Sequence, residues 1–478
     1  MNFGIIGYIL GWVINIVSAA MLLPWIVSLI YGESCGIIFL VCALVFGALG
    51  SLIVRRKPKN TAFFAREGFL VVSLSWIVIS IIGAIPFVVS GEIPNIIDAM
   101  FEMVSGFTTT GSSILTDIEA LSHCVLFWRS FSHWLGGMGV LVFILAILPM
   151  AGGQNIYLMK AESTGPSVGK LVPKIQKTAF WLYSIYAVMT VTHLILLIIA
   201  KVPIFDAFCL SFGTAGTGGF GVLGDSFASY TPFAQNVTTL FMLLFGVNFN
   251  FYFFVISRRF KNALAMEDVR CYFGIYIIAS TIITINLIFT GNFNSMREVL
   301  FQTSSVMTST GFASADFNLW PSLSRALMVM LMFTGACAGS TGGGMKVSRF
   351  IIYAKTVFKE IRQLTHPRSV KVLKMDGKPI EHEVIRIVNV YLCAFIFVFA
   401  ASFMIILLDG FDLTTSFTAV AATLNNIGPG LNMVGPTGNF ADFSWLSKLV
   451  FIFDMLAGRL EIFPMILLLS PSTWRKRG

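Results

Sequence analysis

Residues 98–113 read DAMFEMVSGFTTTGSS, and the same pattern returns three more times: DAFCLSFGTAGTGGFG at 206–221, REVLFQTSSVMTSTGFAS at 297–314 and TTSFTAVAATLNNIGPG at 414–430. Each is about three helical turns followed by a Thr/Gly stretch, too short to cross the roughly 30 Å of a bilayer core. Aligned on Gly111, Gly218, Gly311 and Gly428, the copies lie 107, 93 and 117 residues apart. Thr110, Thr217, Thr310 and Ile427 precede the glycines, and Phe101, Phe208, Phe301 and Phe417 stand ten or eleven residues before them. The pattern predicts four half-helices that enter a membrane from one side and return as extended strands. Irregular backbone at that depth is tolerated only inside protein or against a wet cavity, and four copies around one axis meet that condition together. A ring of their carbonyls can replace the water shell of a monovalent cation. Glycine supplies backbone angles that a Cβ forbids, and the negative end of each half-helix faces the ion.

The flanking sequence is built for lipid. The chain has 478 residues, 56% hydrophobic and 12% charged, with a mean hydropathy of +0.84. Soluble chains carry about 25% charged residues, so a cytosolic enzyme or a nucleic-acid binder is excluded despite the net charge of +9. Charge-free runs cover 1–32, 34–54, 68–91, 130–159, 178–200, 226–257, 271–296, 326–345 and 387–408. A further run, 413–441, is broken by Asn425, Asn426, Pro429 and Pro436, and its spanning partner is 446–470, which holds Asp454, Arg459 and Glu461. Ten spans are expected. The first run lacks a basic flank and reads as an uncleaved helix. Basic clusters at 55–66, 160–177, 258–270, 346–386 and 475–477 fall on one side, giving it +18 against −8 on the other, where Arg129 is counted. The basic side is expected to be cytoplasmic, with both termini there. The seven cysteines are scattered without C-x-x-C and read as isolated buried thiols. The five histidines have no metal-ligand spacing, and the phenylalanine excess needs no cofactor. The Lys/Arg-rich stretch 355–386 fits a solvated or headgroup-facing surface and equally a docking surface for an acidic partner.

Beyond each turn another glycine recurs: Gly136, Gly246, Gly335 and Gly458. From Gly335 to Gly344 the sequence is GACAGSTGGG. Gly335, Gly339 and Gly343 have the spacing of a close-packed helix face. The preferred reading is a mobile intramembrane loop beneath the turns, since glycine costs about 1 kcal/mol per helical position. Its gating residues would be Gly335, Gly339, Gly342, Gly343 and Gly344, with Lys346 anchoring the cytoplasmic end. Arg459 is the second gating residue, because an arginine near mid-bilayer usually faces a bundle interior or an ion path. Asp454 and Glu461 are its nearest acids in sequence, and a purely structural ion pair is the other reading.

With SHWLGGMGVLVF (132–143), AGSTGGGMKVSR (338–349) and GRLEIFP (458–464), these motifs resemble the TrkH/KtrB/HKT superfamily of potassium transporters, over the whole chain. The extra helix pair at 1–54 resembles its TrkH branch. The resemblance implies an all-α integral membrane protein with four parallel helix–pore loop–helix repeats in pseudo-fourfold arrangement around a central pore. The expected segments are an N-terminal helix pair (1–58) and pore repeats at 66–160, 174–262, 268–362 (with the Gly-rich loop) and 383–478. It also implies a homodimer, a cytoplasmic TrkA-like nucleotide-binding regulatory ring, residence in the bacterial cytoplasmic (inner) membrane, and K+ as transported ion with no covalently bound cofactor. The filter carried over is Thr109, Thr110, Gly111; Ala215 to Gly218, with Gly216, Thr217, Gly218; Ser309, Thr310, Gly311; and Asn426, Ile427, Gly428. In the superfamily a serine at the first filter glycine goes with sodium; four glycines here favour potassium. Ile427 departs from the threonine of the other copies and makes the filter lopsided.

An enzyme would need paired catalytic groups at membrane depth, and only Asp454, Arg459 and Glu461 are available, on one helix. A sodium- or proton-coupled symporter with alternating access is the closer rival. Such transporters commonly have inverted repeats, whereas the charge pattern here orients all four units alike, which favours a pore.

Overall fold

A computed structural model of the chain describes residues 2–58, 65–139, 175–367 and 372–474. The chain opens with α1 (Phe3–Ala20), which continues into α2 (Leu22–Tyr31) and returns as α3 (Gly36–Arg55). These helices are apolar on all sides because protein covers one face and lipid suits the other. Ile5, Ile9, Val13 and Val17 are buried at helical spacing, while Ile37, Val41, Leu44 and Leu52 on α3 are exposed.

Four repeats follow. Repeat 1 holds α4 (Ala65–Ser90), the short α5 (Ile96–Phe107) and α6 (His123–Gly137). Repeat 2 holds α7 (Ile175–Ile199), the short α8 (Ile204–Gly216), α9 (Pro232–Phe245) and α10 (Phe249–Ile256), with α11 (Phe260–Leu264) after it. Repeat 3 holds α12 (Glu267–Phe289), the short α13 (Met296–Met307), α14 (Ser322–Thr334) and the polar α15 (Val347–Thr365). A two-stranded antiparallel hairpin, β1 (Lys374–Met375) and β2 (Lys378–Pro379), leads to repeat 4. That repeat holds α16 (His382–Ile406), the short α17 (Leu413–Leu424), α18 (Trp445–Arg459), α19 (Phe463–Leu469) and α20 (Pro471–Trp474). Asn95, Ser295 and Asp412 start three of the short helices by accepting amide hydrogen bonds from Ile97, Glu298 and Thr415.

The repeats close on themselves. The helix after each turn packs against the short helix of the next repeat: α6 on α8, α9 on α13, α14 on α17, and α18 back on α5. This places the four turns around one axis.

Among the described residues six helical stretches are long and apolar enough to cross a membrane: 3–31, 36–55, 66–90, 179–199, 267–289 and 382–409. The pair α9–α10, bent by 91°, makes a seventh. Among the described residues the other expected spans are built from shorter helices. Within the runs 130–159, 226–257, 326–345 and 446–470, the helices α6, α9, α14 and α18 stop at or within a residue of the recurring glycines. A Cβ at Gly136 would collide with the carbonyl of Phe107, and one at Gly458 with that of Leu424. Bare backbone lets these helices press on the ends of short helices, and there the helix gives way. Residues 140–174 and 475–478, with the basic clusters they carry, lie outside the described residues.

Two further expectations change. Arg129 is no loop charge; it is buried on α6. Cys35 and Cys124, expected as isolated thiols, bring their sulfurs to 2.6 Å.

Candidate functional site

The short helices end in one conformation, four times over. Thr109, Thr217, Ser309 and Asn426 adopt left-handed φ of 56°, 55°, 57° and 54°. Their amides donate three residues back, to Gly106, Thr214, Val306 and Thr423; the next amides, of Thr110, Gly218, Thr310 and Ile427, donate five back, to Ser105, Gly213, Ser305 and Ala422. Such a closure normally takes glycine at the left-handed position. Threonine, serine and asparagine there cost roughly 1–2 kcal/mol each. Two residues on, Gly111, Gly219, Gly311 and Gly428 stand at φ 82°, 82°, 85° and 98°.

This equivalence corrects the alignment in repeat 2. Gly216, Thr217, Gly218 is one residue early; the matching trio is Thr217, Gly218, Gly219. The phenylalanines misled the alignment. Phe101 and Phe301 are fully buried while Phe208 is exposed, and its neighbour Cys209 takes the buried place.

The four glycines form a closed circuit. A Cβ on Gly111 would run into the carbonyl of Gly218, one on Gly219 into that of Thr310, and one on Gly311 into that of Ile427. A Cβ on Gly428 would lie 2.8 Å from the carbonyl of Thr110, completing the circle. Hydroxyls brace the strands from behind: Thr108 Oγ1 with Thr110 Oγ1 at 2.8 Å, and Thr308 Oγ1 with Thr310 Oγ1 at 2.7 Å. In repeat 4 the brace is an amide. Asn426 Nδ2 donates to Thr110 Oγ1 at 2.9 Å and to the Met455 carbonyl at 2.8 Å. Above the circuit lies a cavity of about 120 Å³ lined by the four glycines and the loops that follow them.

A buried ion pair that the sequence did not reveal holds the side on which the cavity lies. Arg129 Nε donates to Glu102 Oε1 at 2.5 Å, with both side chains almost wholly enclosed. Glu102 also accepts from the Ile114 amide (3.1 Å) and the Ser113 hydroxyl (3.0 Å). The Arg129 guanidinium lies over Phe220 at 3.6 Å and donates to the Gly221 carbonyl at 3.2 Å, so it bridges the strands of repeats 1 and 2. The signal available was Glu102, a carboxylate midway along the half-helix with apolar Phe101 and Met103 on either side.

Beneath the circuit, α14 stops at Thr334 and residues 335–346 run as a loop. The Gly343 amide donates to Ser309 Oγ, and the Gly344 amide donates to the Asn425 carbonyl at 2.9 Å. Thr341 Oγ1 donates to the Phe245 carbonyl at 3.2 Å, and the Gly339 carbonyl accepts from Phe249 at 3.0 Å. Gly342 has no room for a side chain, since a Cβ there would lie 2.7 Å from the Thr308 carbonyl. Lys346, buried at φ 73°, turns back to donate to the Gly342 carbonyl and starts α15. Arg459 locks the assembly: Nη1 donates to Thr341 O at 2.8 Å, and Nη2 to Gly136 O and Gly137 O at 2.6 and 2.7 Å. The acids near it in sequence are engaged elsewhere, Asp454 accepting from Ser402 and Glu461 pairing with Arg349.

The fold and these turns define a helical membrane transport protein built from four like-oriented repeats around one axis. The TrkH family model, described as cation transport protein, matches residues 37–292 and 290–476. The chain belongs to this family, which places it among transporters rather than enzymes. It is 36% identical to the Trk system potassium uptake proteins TrkH of Salmonella typhimurium and of Escherichia coli K12, over 100% of each chain. The crystal structure of the potassium transporter TrkH from Vibrio parahaemolyticus superposes with a TM-score of 0.88 at 32% identity, covering 99% of this chain and 100% of that one.

Proposed function

We propose that this chain carries potassium into a bacterial cell through the centre of the four-glycine circuit, with Thr109–Gly111, Thr217–Gly219, Ser309–Gly311 and Asn426–Gly428 as selectivity filter. The observation that carries this reading is the closure of the circuit: the glycine of each repeat lies against the backbone carbonyl of the next. Four such strands present a cation with fixed dipoles that replace its water. Four glycines favour potassium over sodium within the superfamily, and the relatives named above as potassium uptake proteins support the same ion. The asymmetric Asn426–Ile427 strand makes the fourth quadrant different in coordination.

The loop 335–346 and Arg459 are the gate. The loop sits against the inner mouth of the turns, and the guanidinium ties it to repeat 1. The loop leads through Lys346 into α15, whose Lys355, Lys359 and Arg362 lie on the side assigned to the cytoplasm, beside the exposed Phe358, Ile361 and Leu364. A TrkA-like nucleotide-binding ring gripping α15 would move the loop directly. A homodimer in the cytoplasmic membrane with both termini inside completes the reading.

The test is potassium-limited growth of a transport-deficient bacterium expressing this chain or its Gly311→Ser variant. Rescue by the first and loss or altered selectivity with the second is expected; equal rescue by both overturns the filter assignment.

A further inference from the structure

At the end of the molecule where the 120 Å³ cavity opens, the tip of the α2–α3 hairpin meets the start of α6. Cys35 is half-buried, Cys124 fully buried, and their sulfurs stand 2.6 Å apart across 89 residues of sequence. Carboxylates hold the two backbones in place. Glu33 Oε1 accepts from the His123 amide at 2.7 Å and Oε2 from the Cys124 amide at 3.0 Å. Glu92 accepts from the Ser122 amide at 3.1 Å and its hydroxyl at 2.6 Å. Tyr31 stacks on the His123 ring at 3.9 Å. Three successive amides at the start of α6 are thus capped by acids from neighbouring elements, which complements the positive helix end. The two thiols are presented to each other by rigid backbone.

We propose that Cys35 and Cys124 form a structural disulfide that staples the N-terminal hairpin to repeat 1 on the outer face. A metal is the other ligand such a cluster suggests, Glu33, Cys35 and Cys124 being mutually close. Two thiolates on one tetrahedral zinc stand about 3.8 Å apart, given a Zn–S bond of about 2.3 Å. The observed 2.6 Å is far nearer the disulfide bond of about 2.05 Å. Both Glu33 oxygens are already taken by amides, and the His123 ring nitrogen faces Glu33 at 2.8 Å. A disulfide persists only in an oxidising compartment, so the proposal rests on the orientation given above, with this end outside the cytoplasm.

Formation is thiol–disulfide exchange with an external protein disulfide of the oxidant class. The more accessible Cys35 sulfur attacks and takes a mixed disulfide, releasing one thiol of the oxidant. Cys124 then attacks the Cys35 sulfur, the Cys35–Cys124 bond forms, and the second thiol leaves. Two electrons and two protons pass from the cysteine pair to the oxidant.

The experiment uses full-length protein taken from membranes, alkylated before any reduction and mapped by mass spectrometry. Linked peptides holding Cys35 and Cys124 are expected, and dithiothreitol should lower the thermal midpoint by several degrees in the wild type but not in Cys35→Ser. Orientation is read separately from Glu360→Cys on α15, which a membrane-impermeant maleimide should label only in opened cells. Alkylated Cys35 and Cys124 with residue 360 shielded overturns the disulfide and leaves the orientation standing; zinc recovered with the pair does the same. Labelling of residue 360 in intact cells overturns the orientation instead.

Discussion

Replacing Arg459 by alanine removes a single guanidinium that grips the loop at Thr341 O and repeat 1 at Gly136 O and Gly137 O. Of these three bonds, the one to Thr341 is made to the loop itself. A hydrogen bond to a charged group contributes about 1.5–3 kcal/mol net, and each 1.4 kcal/mol is a factor of about ten in population. Loss of the anchor should shift the balance of seated and displaced loop by about ten- to a hundredfold toward displaced. Basal rubidium uptake into proteoliposomes without a regulatory partner should rise until the displaced form dominates. Arg459→Lys separates anchor from charge. A lysine keeps the positive charge but cannot reach three carbonyls on two elements, so its flux should also rise. Unchanged flux in Arg459→Ala, with protein monodisperse and its thermal midpoint retained, refutes the anchoring argument. A rise in Arg459→Ala with wild-type flux in Arg459→Lys would move the effect from anchoring to electrostatics.

Other consequences are measurable. Gly343→Ala puts a Cβ against the Asn425 carbonyl, so the loop cannot seat and basal flux should rise while the filter keeps its selectivity, read as the rubidium-to-sodium flux ratio. Arg129→Ala leaves Glu102 buried and unpaired, a loss of about 3–5 kcal/mol that should appear as a sharply lower thermal midpoint; Glu102→Gln together with Arg129→Gln should recover part of it. Burial works to raise the Glu33 carboxyl, and hydrogen bonds from the His123 and Cys124 amides and the His123 ring outweigh it, leaving it below the usual 4.5. A depressed carboxylate stabilises the fold above its unfolded value and loses that contribution as pH falls through the folded one. Thermal midpoints should therefore drop below about pH 4.5, and Glu33→Gln should flatten that part of the profile.

Much of this was legible in the amino acids because lipid is an exacting solvent. Long apolar runs and short Thr/Gly interruptions sufficed for the helical membrane class and the fourfold repeat, since each is a solvation constraint written locally. What escaped was set by tertiary contact. The register of repeat 2 hung on Phe208, which is exposed while Cys209 takes the buried place that Phe101 and Phe301 hold in repeats 1 and 3. Arg129 looked like an outer-loop charge because its partner Glu102 is 27 residues away. Hydropathy alone could not distinguish a spanning helix from one that halts at Gly136 or Gly458, because the halt comes from a neighbouring carbonyl. The pairing of Cys35 with Cys124 depends on how a hairpin and a repeat are docked, which no spacing rule encodes.

Joining the four quadrants in one polypeptide has a price in symmetry and a return in specialisation. A tetramer of identical subunits would carry four obstructing loops and four arginines or none. Under the proposed gating, the third quadrant supplies the plug and the fourth the latch among the described residues, so a pull on one helix at one edge would unblock the whole conduit.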